Sequence, residues 1–249
     1  MNRKLPAVVV GSCVVLLCAA CGSSSPKPST TSSTASTATP SATPTATSSS
    51  TPGSTPSSGQ AAAATPTRAQ VEAAMLVAGD VPAGYKLMPN DDDDNITGSG
   101  PNASCDDLSR VINTTALPGS AFEVDRVFDD KAGDEIDVSV APYKSAEAAK
   151  AMARRIGTDA TKCPRLTERE KGTSITFTLA VATPPSAGTD ATAVTFTGTG
   201  NIAGLVETNT TVLDGSTVIG TSAPTVTEAN LLTALAVSRL DQVLGSGTA

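Results

Sequence analysis

Residues 22–66 contain almost nothing but Ser, Thr, Pro, Ala and Gly, with Lys27 as their only charge, and this run limits where the chain can fold. It has no hydrophobic period, so it cannot bury enough apolar surface to offset the entropy of ordering it. Folding is left to residues 67–249. A segment of that size is an ordinary single domain, which buries roughly 70% of the surface its unfolded chain exposes. The run itself reads as a tether, spanning about 35 to 40 Å as a flexible coil and roughly 140 Å if its prolines hold polyproline II. Its Thr-Pro and Ser-Pro pairs suit O-glycosylation.

Ahead of the tether, Arg3 and Lys4 precede an apolar stretch from Leu5 to Leu17. That stretch is too short to cross a bilayer, which takes about 20 residues, and it reads as a targeting segment. It ends in Ala19-Ala20-Cys21-Gly22, which resembles the lipobox of bacterial lipoproteins. The resemblance implies cleavage before Cys21, a diacylglycerol thioether on its sulfur and palmitate-like acyl chains. Two chains give stable attachment, at about 0.8 kcal/mol per buried CH₂. Val10-Gly11-Ser12-Cys13 fits the same pattern locally but leaves an apolar region of only a few residues. The alternative is an ordinary secretory signal cut at the same place. The expected organisation is a lipoprotein signal peptide over 1–20, a lipid-anchored disordered tether over 21–66 and an extracytoplasmic domain over 67–249.

All 24 acidic residues follow residue 66, whereas three of the 17 basic residues precede it. So acidic a domain is a poor partner for nucleic acid, and its faces are unsuited to anionic lipid. The chain has no His and no Trp. This excludes Ser-His-Asp and Cys-His nucleophile systems and HExxH zinc sites. No Gly-rich phosphate loop, nucleophile elbow or kinase signature occurs. The expectation is no cofactor, no metal site and no catalytic residues. Asp91 to Asp94 is the most charged stretch, but a calcium loop starting there would need Gly at its sixth position and Glu at its twelfth. Ile96 and Asn102 stand there instead, so a solvated loop is expected. The Asn-x-Thr triplets at Asn95, Asn113 and Asn209 are frequent by chance in a Thr-rich chain.

Within the domain, apolar spacings of three and four predict helices over 67–78 and 103–113, the second with Cys105 on its buried face. Residues 121–128 and 135–141 alternate apolar and polar, predicting a hairpin with one buried face. Ser145 is the expected cap of a helix to about Ile156. Segments 173–181, 191–197, 202–212 and 216–221 are Thr- and Val-rich and read as antiparallel strands, the last two joined through Asp214-Gly215. Thr225 and Glu228 form a capping box before a terminal helix, clearest from Leu231 to Leu244. With the three signal-region cysteines set aside, Cys105 and Cys163 are an even pair in an oxidising compartment and are expected to be disulfide-bonded. The fold class expected is α+β, an antiparallel sheet covered by helices in one disulfide-linked domain.

Gly79-Asp-Val-Pro-Ala-Gly-Tyr85, Cys105-Asp-Asp-Leu-Ser-Arg110, Tyr143-Lys-Ser-Ala-Glu-Ala-Ala149 leading to Cys163, and the closing Leu231 to Val243 are similar to the extracellular sensor domain of mycobacterial PknH-type receptor kinases, and to actinobacterial lipoproteins that carry such a domain alone. The resemblance implies a non-enzymatic domain at the outer face of the cell membrane that binds an unidentified small molecule, glycan or protein. Two alternatives stay open. A lipid or glycolipid carrier needs an apolar cavity of several hundred Å³. A hydrolase built on paired carboxylates needs two of them about 5 to 9 Å apart in a cleft.

Overall fold

The computed structural model describes residues 65–89, 96–170 and 172–246. Cys21, the signal segment, nearly all of the tether and the Asp91 to Asp94 stretch lie outside the described residues. Among those described, nine strands form one wholly antiparallel sheet, accompanied by four α-helices and one disulfide, an α+β architecture. In chain order the elements are α1 (Arg68–Ala74), β1 (Lys86–Leu87), β2 (Thr97–Ser99), α2 (Ala103–Ile112), β3 (Val124–Asp129), β4 (Glu135–Pro142), α3 (Ala146–Lys162), β5 (Arg165–Glu170), β6 (Thr173–Val181), β7 (Thr189–Gly198), β8 (Val206–Asp214), β9 (Thr217–Ala223) and α4 (Val226–Ser246). The spatial order is β1-β3-β4-β9-β8-β7-β6-β5-β2. No helix of the described residues is long and apolar enough to cross a membrane.

Local chemistry sets the boundaries. Ser145 accepts the N–H of Ala148 and opens α3. That helix runs six residues past the expected Ile156, through Gly157, because Gly157 is there for close approach: a Cβ on it would lie 2.5 Å from Thr192 Oγ1 of β7. The last helix begins directly after Thr225, which accepts the Glu228 N–H at 3.2 Å and bonds the Glu228 carboxylate. The final hairpin pairs Asp214 with Thr217, so its turn residues are Gly215 and Ser216, with Gly215 at φ +56°.

Two strands escape the sequence reading. Strand β5 is mostly charged, yet it pairs with β6 along its length, with Leu166 and Glu168 fully buried. Strand β2 is only Thr-Gly-Ser.

Each face of the sheet carries a core. On one, Phe128, Ile136, Val138 and Ile219 pack against Met75 of the α1 end and Leu232 and Leu240 of α4. On the other, Phe177, Val194, Phe196 and Val218 pack against Leu108 and Val111 of α2 and Met152 and Ile156 of α3. Each such large apolar side chain contributes roughly 1.5 to 3 kcal/mol by leaving water. Strand β4 corrects the expectation of one buried face. Ile136, Val138 and Val140 enter the first core, while Asp137 and Ser139, which point the other way, are buried too.

The second core is pinned at one end. Cys105, at the start of α2, is bonded to Cys163, which ends α3, with Cα atoms 4.8 Å apart. Asn102 reinforces the junction by accepting the Cys105 N–H and donating to the Lys162 carbonyl. Gly100 has no room for a side chain there, since a Cβ would fall 2.2 Å from that of Cys105.

Candidate binding cleft

Helices α2 and α3 lie over β5 to β9 and leave the β3 and β4 side of that sheet face beyond their edge. Antiparallel register fixes what that region presents. Side chains directly opposite one another across a sheet share a face. One row reads Asp125-Ser139-Gly220-Thr211-Thr192 from β3 to β7, and the next reads Val127-Asp137-Ser222-Asn209-Val194. A polar strip therefore runs from β3 to β7 and passes under α2 and α3.

Under the helices the strip becomes the floor of a narrow cavity of about 30 Å³. Ser139, Asn209, Thr211 and Gly220 contribute to its floor, and Leu108, Val111, Ile156 and Ala160 wall it with aliphatic groups. Gly220 adds no side chain at the centre of its row. A broader depression of about 380 Å³, around Thr97, Asp106 and Arg110, adjoins residues outside those described.

Around Asp137 stand three further carboxylates, of Glu123, Asp125 and Glu207. Asp137 is 3% exposed, and its Oδ1 has no hydrogen-bond partner. Burial, with Asp125, Glu123 and Glu207 adding like charge, pushes its carboxyl up to about 7. Glu207 Oε1 accepts from Ser222 Oγ at 2.6 Å and from Asn209 Nδ2 at 2.8 Å. Asn209 is 9% exposed, and its Oδ1 has no partner. Glu123 Oε2 accepts the Leu117 N–H at 2.6 Å, which ties the acidic end to a residue of the cavity wall. The Tyr143 hydroxyl beneath this loop donates to the Pro118 carbonyl, and burial followed by Glu123 pushes its pKa up. Among the described residues no three carboxylate or thiol groups are placed to hold a metal ion.

Of the residues singled out from the sequence, Cys21 lies outside the described set. Cys105 and Cys163 meet within about one helical turn of the cavity-lining Leu108 of α2 and Ala160 of α3. Asn209 is a cleft residue rather than a surface acceptor for sugar, and Asn113 is half-buried, bonded to Ser109 and Glu168. Asp137, Glu207, Glu123 and Asp125 are absent from the sequence reading. Their one signal was Asp137-Val-Ser139 within an apolar alternation, a pattern that equally describes a solvated strand face.

No family model matches this chain, and no curated protein does. A solved structure does share the fold. It is the extracellular domain of PknH from Mycobacterium tuberculosis. The match has a TM-score of 0.58 at 15% identity and covers 72% of this chain and 99% of that one. At that identity the likeness to the PknH domain shows the common fold. The cleft described above rests on this chain's own residues.

Proposed function

We propose that this chain is a lipid-anchored, non-enzymatic binding domain, held outside the cytoplasmic membrane through Cys21 and presenting the cleft between the sheet and α2/α3 to a small ligand. The observation that carries the binding role is the convergence in one cleft of an aliphatic cavity and a strip of buried polar groups. Binding sites combine those two surfaces, the apolar one for affinity and a few fixed polar groups for orientation. The extracellular character of the PknH domain, the acidic charge of the domain and the lipobox-like Ala19-Ala20-Cys21 all support the location.

A lipid-carrier role is disfavoured, because about 30 Å³ holds one or two water-sized groups and not an acyl chain. A carboxylate hydrolase draws on one specific observation: Asp125 and Asp137 are diagonal cross-strand neighbours, roughly 7 to 8 Å apart by sheet geometry. It requires a scissile bond seated between them, and the cavity opens beside Ser139 and Asn209 instead.

The test is native mass spectrometry of the full chain, purified with its anchor, alongside Cys21→Ala and Ala160→Leu. Labelled palmitate is expected in the parent and absent from Cys21→Ala. A co-purifying small molecule is expected in the parent and lost in Ala160→Leu, whose added methylenes fill the cavity. Palmitate retained in Cys21→Ala would remove the anchor from this reading. A bound molecule indifferent to Ala160→Leu would remove the cleft.

A further inference from the structure

The sheet face opposite the cleft is only half covered. Helix α4 lies over β8, β9 and β4 there, and α1 sits beside β3, whereas β2, β5, β6 and β7 turn that face to solvent. Leu166 and Phe177 point into the second core, so their strand neighbours Arg165 and Thr167 of β5, and Thr176 and Thr178 of β6, point the other way. Cross-strand register sets these side chains in rows. One row reads Ser99-Thr167-Thr176, and it lies between the rows that hold Arg169 and Arg165. Row members stand about 4.8 Å apart and successive rows about 7 Å apart.

The chemistry of this surface is hydroxyls and two cations. Thr167 and Thr176 share one hydrogen bond of 3.0 Å between their hydroxyls, so one of the two keeps its proton for a partner. No hydrogen bond among the described residues engages the hydroxyls of Thr97, Ser99 or Thr197. Arg165 and Arg169 are exposed and make no ion pair among the described residues, in a domain that holds all 24 acidic residues of the chain. Arg169 Nε donates to Ser174 Oγ at 3.3 Å, which leaves its terminal amino groups for a ligand. Glu168, between the two arginines, is turned to the opposite face and buried.

Those features select among macromolecules. The two guanidiniums stand four residues apart on one strand, about 13 Å. DNA brings a charge about every 1.7 Å, and single strands also need rings to stack on, which this face does not carry. A protein partner is anchored by large apolar or aromatic side chains, and β2, β5, β6 and β7 present none on this face. A sugar chain fits both halves of the surface, because hydroxyl answers hydroxyl and a widely spaced carboxylate meets a guanidinium in a charge-assisted pair.

We infer that this face docks an acidic polysaccharide of the uronic acid class, its carboxylates on Arg165 and Arg169 and its hydroxyls along the threonine rows. The surface lies across the sheet from the cleft and stands independently of what the cleft binds.

Isothermal titration of the full chain with polygalacturonate, dextran and polyglutamate tests this. Polygalacturonate is expected to bind at least tenfold more tightly than either of the others, and to be released in about 0.5 M salt. Arg165→Gln combined with Arg169→Gln should weaken it at least tenfold, and Thr197→Val, which keeps the branched shape and removes the hydroxyl, severalfold, each with unchanged circular dichroism. Arg110→Gln, on α2, should leave it unchanged. Equal binding of polyglutamate would mean that charge alone is read and overturns the sugar assignment. Equal binding of dextran overturns the role of the arginines. Failure of polygalacturonate to bind, or binding retained in the double arginine variant, overturns the docking surface.

Discussion

Asp137→Asn should raise the melting temperature of this protein at pH 8, and by roughly a third as much at pH 5. Burial, with Asp125, Glu123 and Glu207 adding, raises the Asp137 carboxyl from an ordinary value near 3.8 to about 7. The folded state thus holds a proton between roughly pH 4 and 7 that the unfolded chain has released. Where the native state binds more protons, stability falls as pH rises. The contribution of Asp137 is therefore fully present below about pH 4 and is lost as pH climbs through 7, where the folded protein must carry a buried, charge-crowded carboxylate. The shift corresponds to about 4 kcal/mol at most, from 1.36 kcal/mol per pH unit. Asn cannot ionise, so the variant escapes that loss. For a domain of this size the gain is up to roughly 8 to 16 °C in melting temperature. Differential scanning calorimetry of both proteins at pH 5 and pH 8 measures it, and the difference between variant and parent must grow with pH. A difference independent of pH would mean that Asp137 titrates normally.

Much of the fold was legible in the sequence because it is written in local signals. Ser145, Thr225 and the spacing of Cys105, Leu108, Val111 and Ile112 each announce a helix by a mechanism that acts within one turn. The hairpins likewise follow from alternation and from turn glycines such as Gly215. What stayed hidden is non-local. Strand β5 carries Arg165, Glu168 and Arg169 and has no hydrophobic pattern of its own; it is a strand because β6 pairs with it, and Glu168 is buried by its neighbours. Gly157 signals a helix stop in one dimension and proves in three to be the point where α3 touches Thr192. The cleft lies at the far end of this scale. Glu123, Asp137, Asn209 and Ser222 are scattered over about a hundred residues, and only the strand order β3-β4-β9-β8 puts them in adjacent rows. An alternating strand shows which residues share a face, but whether the polar face meets water or the edge of two helices is set by the topology.

Cys105→Ser should lower the melting temperature by roughly 8 to 16 °C under oxidising conditions, and by far less in reductant. The crosslink joins residues 58 apart in sequence. Its removal returns to the unfolded chain a loop-closure entropy worth about 4 kcal/mol. For a domain of this size, each kcal/mol moves the melting temperature about 2 to 4 °C. The folded state contributes as well, because both sulfurs are buried, and Gly100, Asn102 and the Lys162 carbonyl close around them. Serine there would bury a hydroxyl where a sulfur was. Cys105→Ala paired with Cys163→Ala separates the two contributions, since it keeps the site apolar while cutting the loop; it should recover part of the loss and no more. The effect should also reach the cleft. Helices α2 and α3 carry the cavity walls Leu108, Val111, Ile156 and Ala160, and the disulfide ties the start of one helix to the end of the other. With the tie cut, the helices are held over the sheet by packing and the Asn102 hydrogen bonds, so the co-purifying small molecule should be bound less in the double-alanine variant at a temperature where circular dichroism shows it folded. If that variant melts with the parent, the crosslink adds nothing to stability. If it melts lower yet keeps the co-purifying molecule, the disulfide plays no part in shaping the cleft.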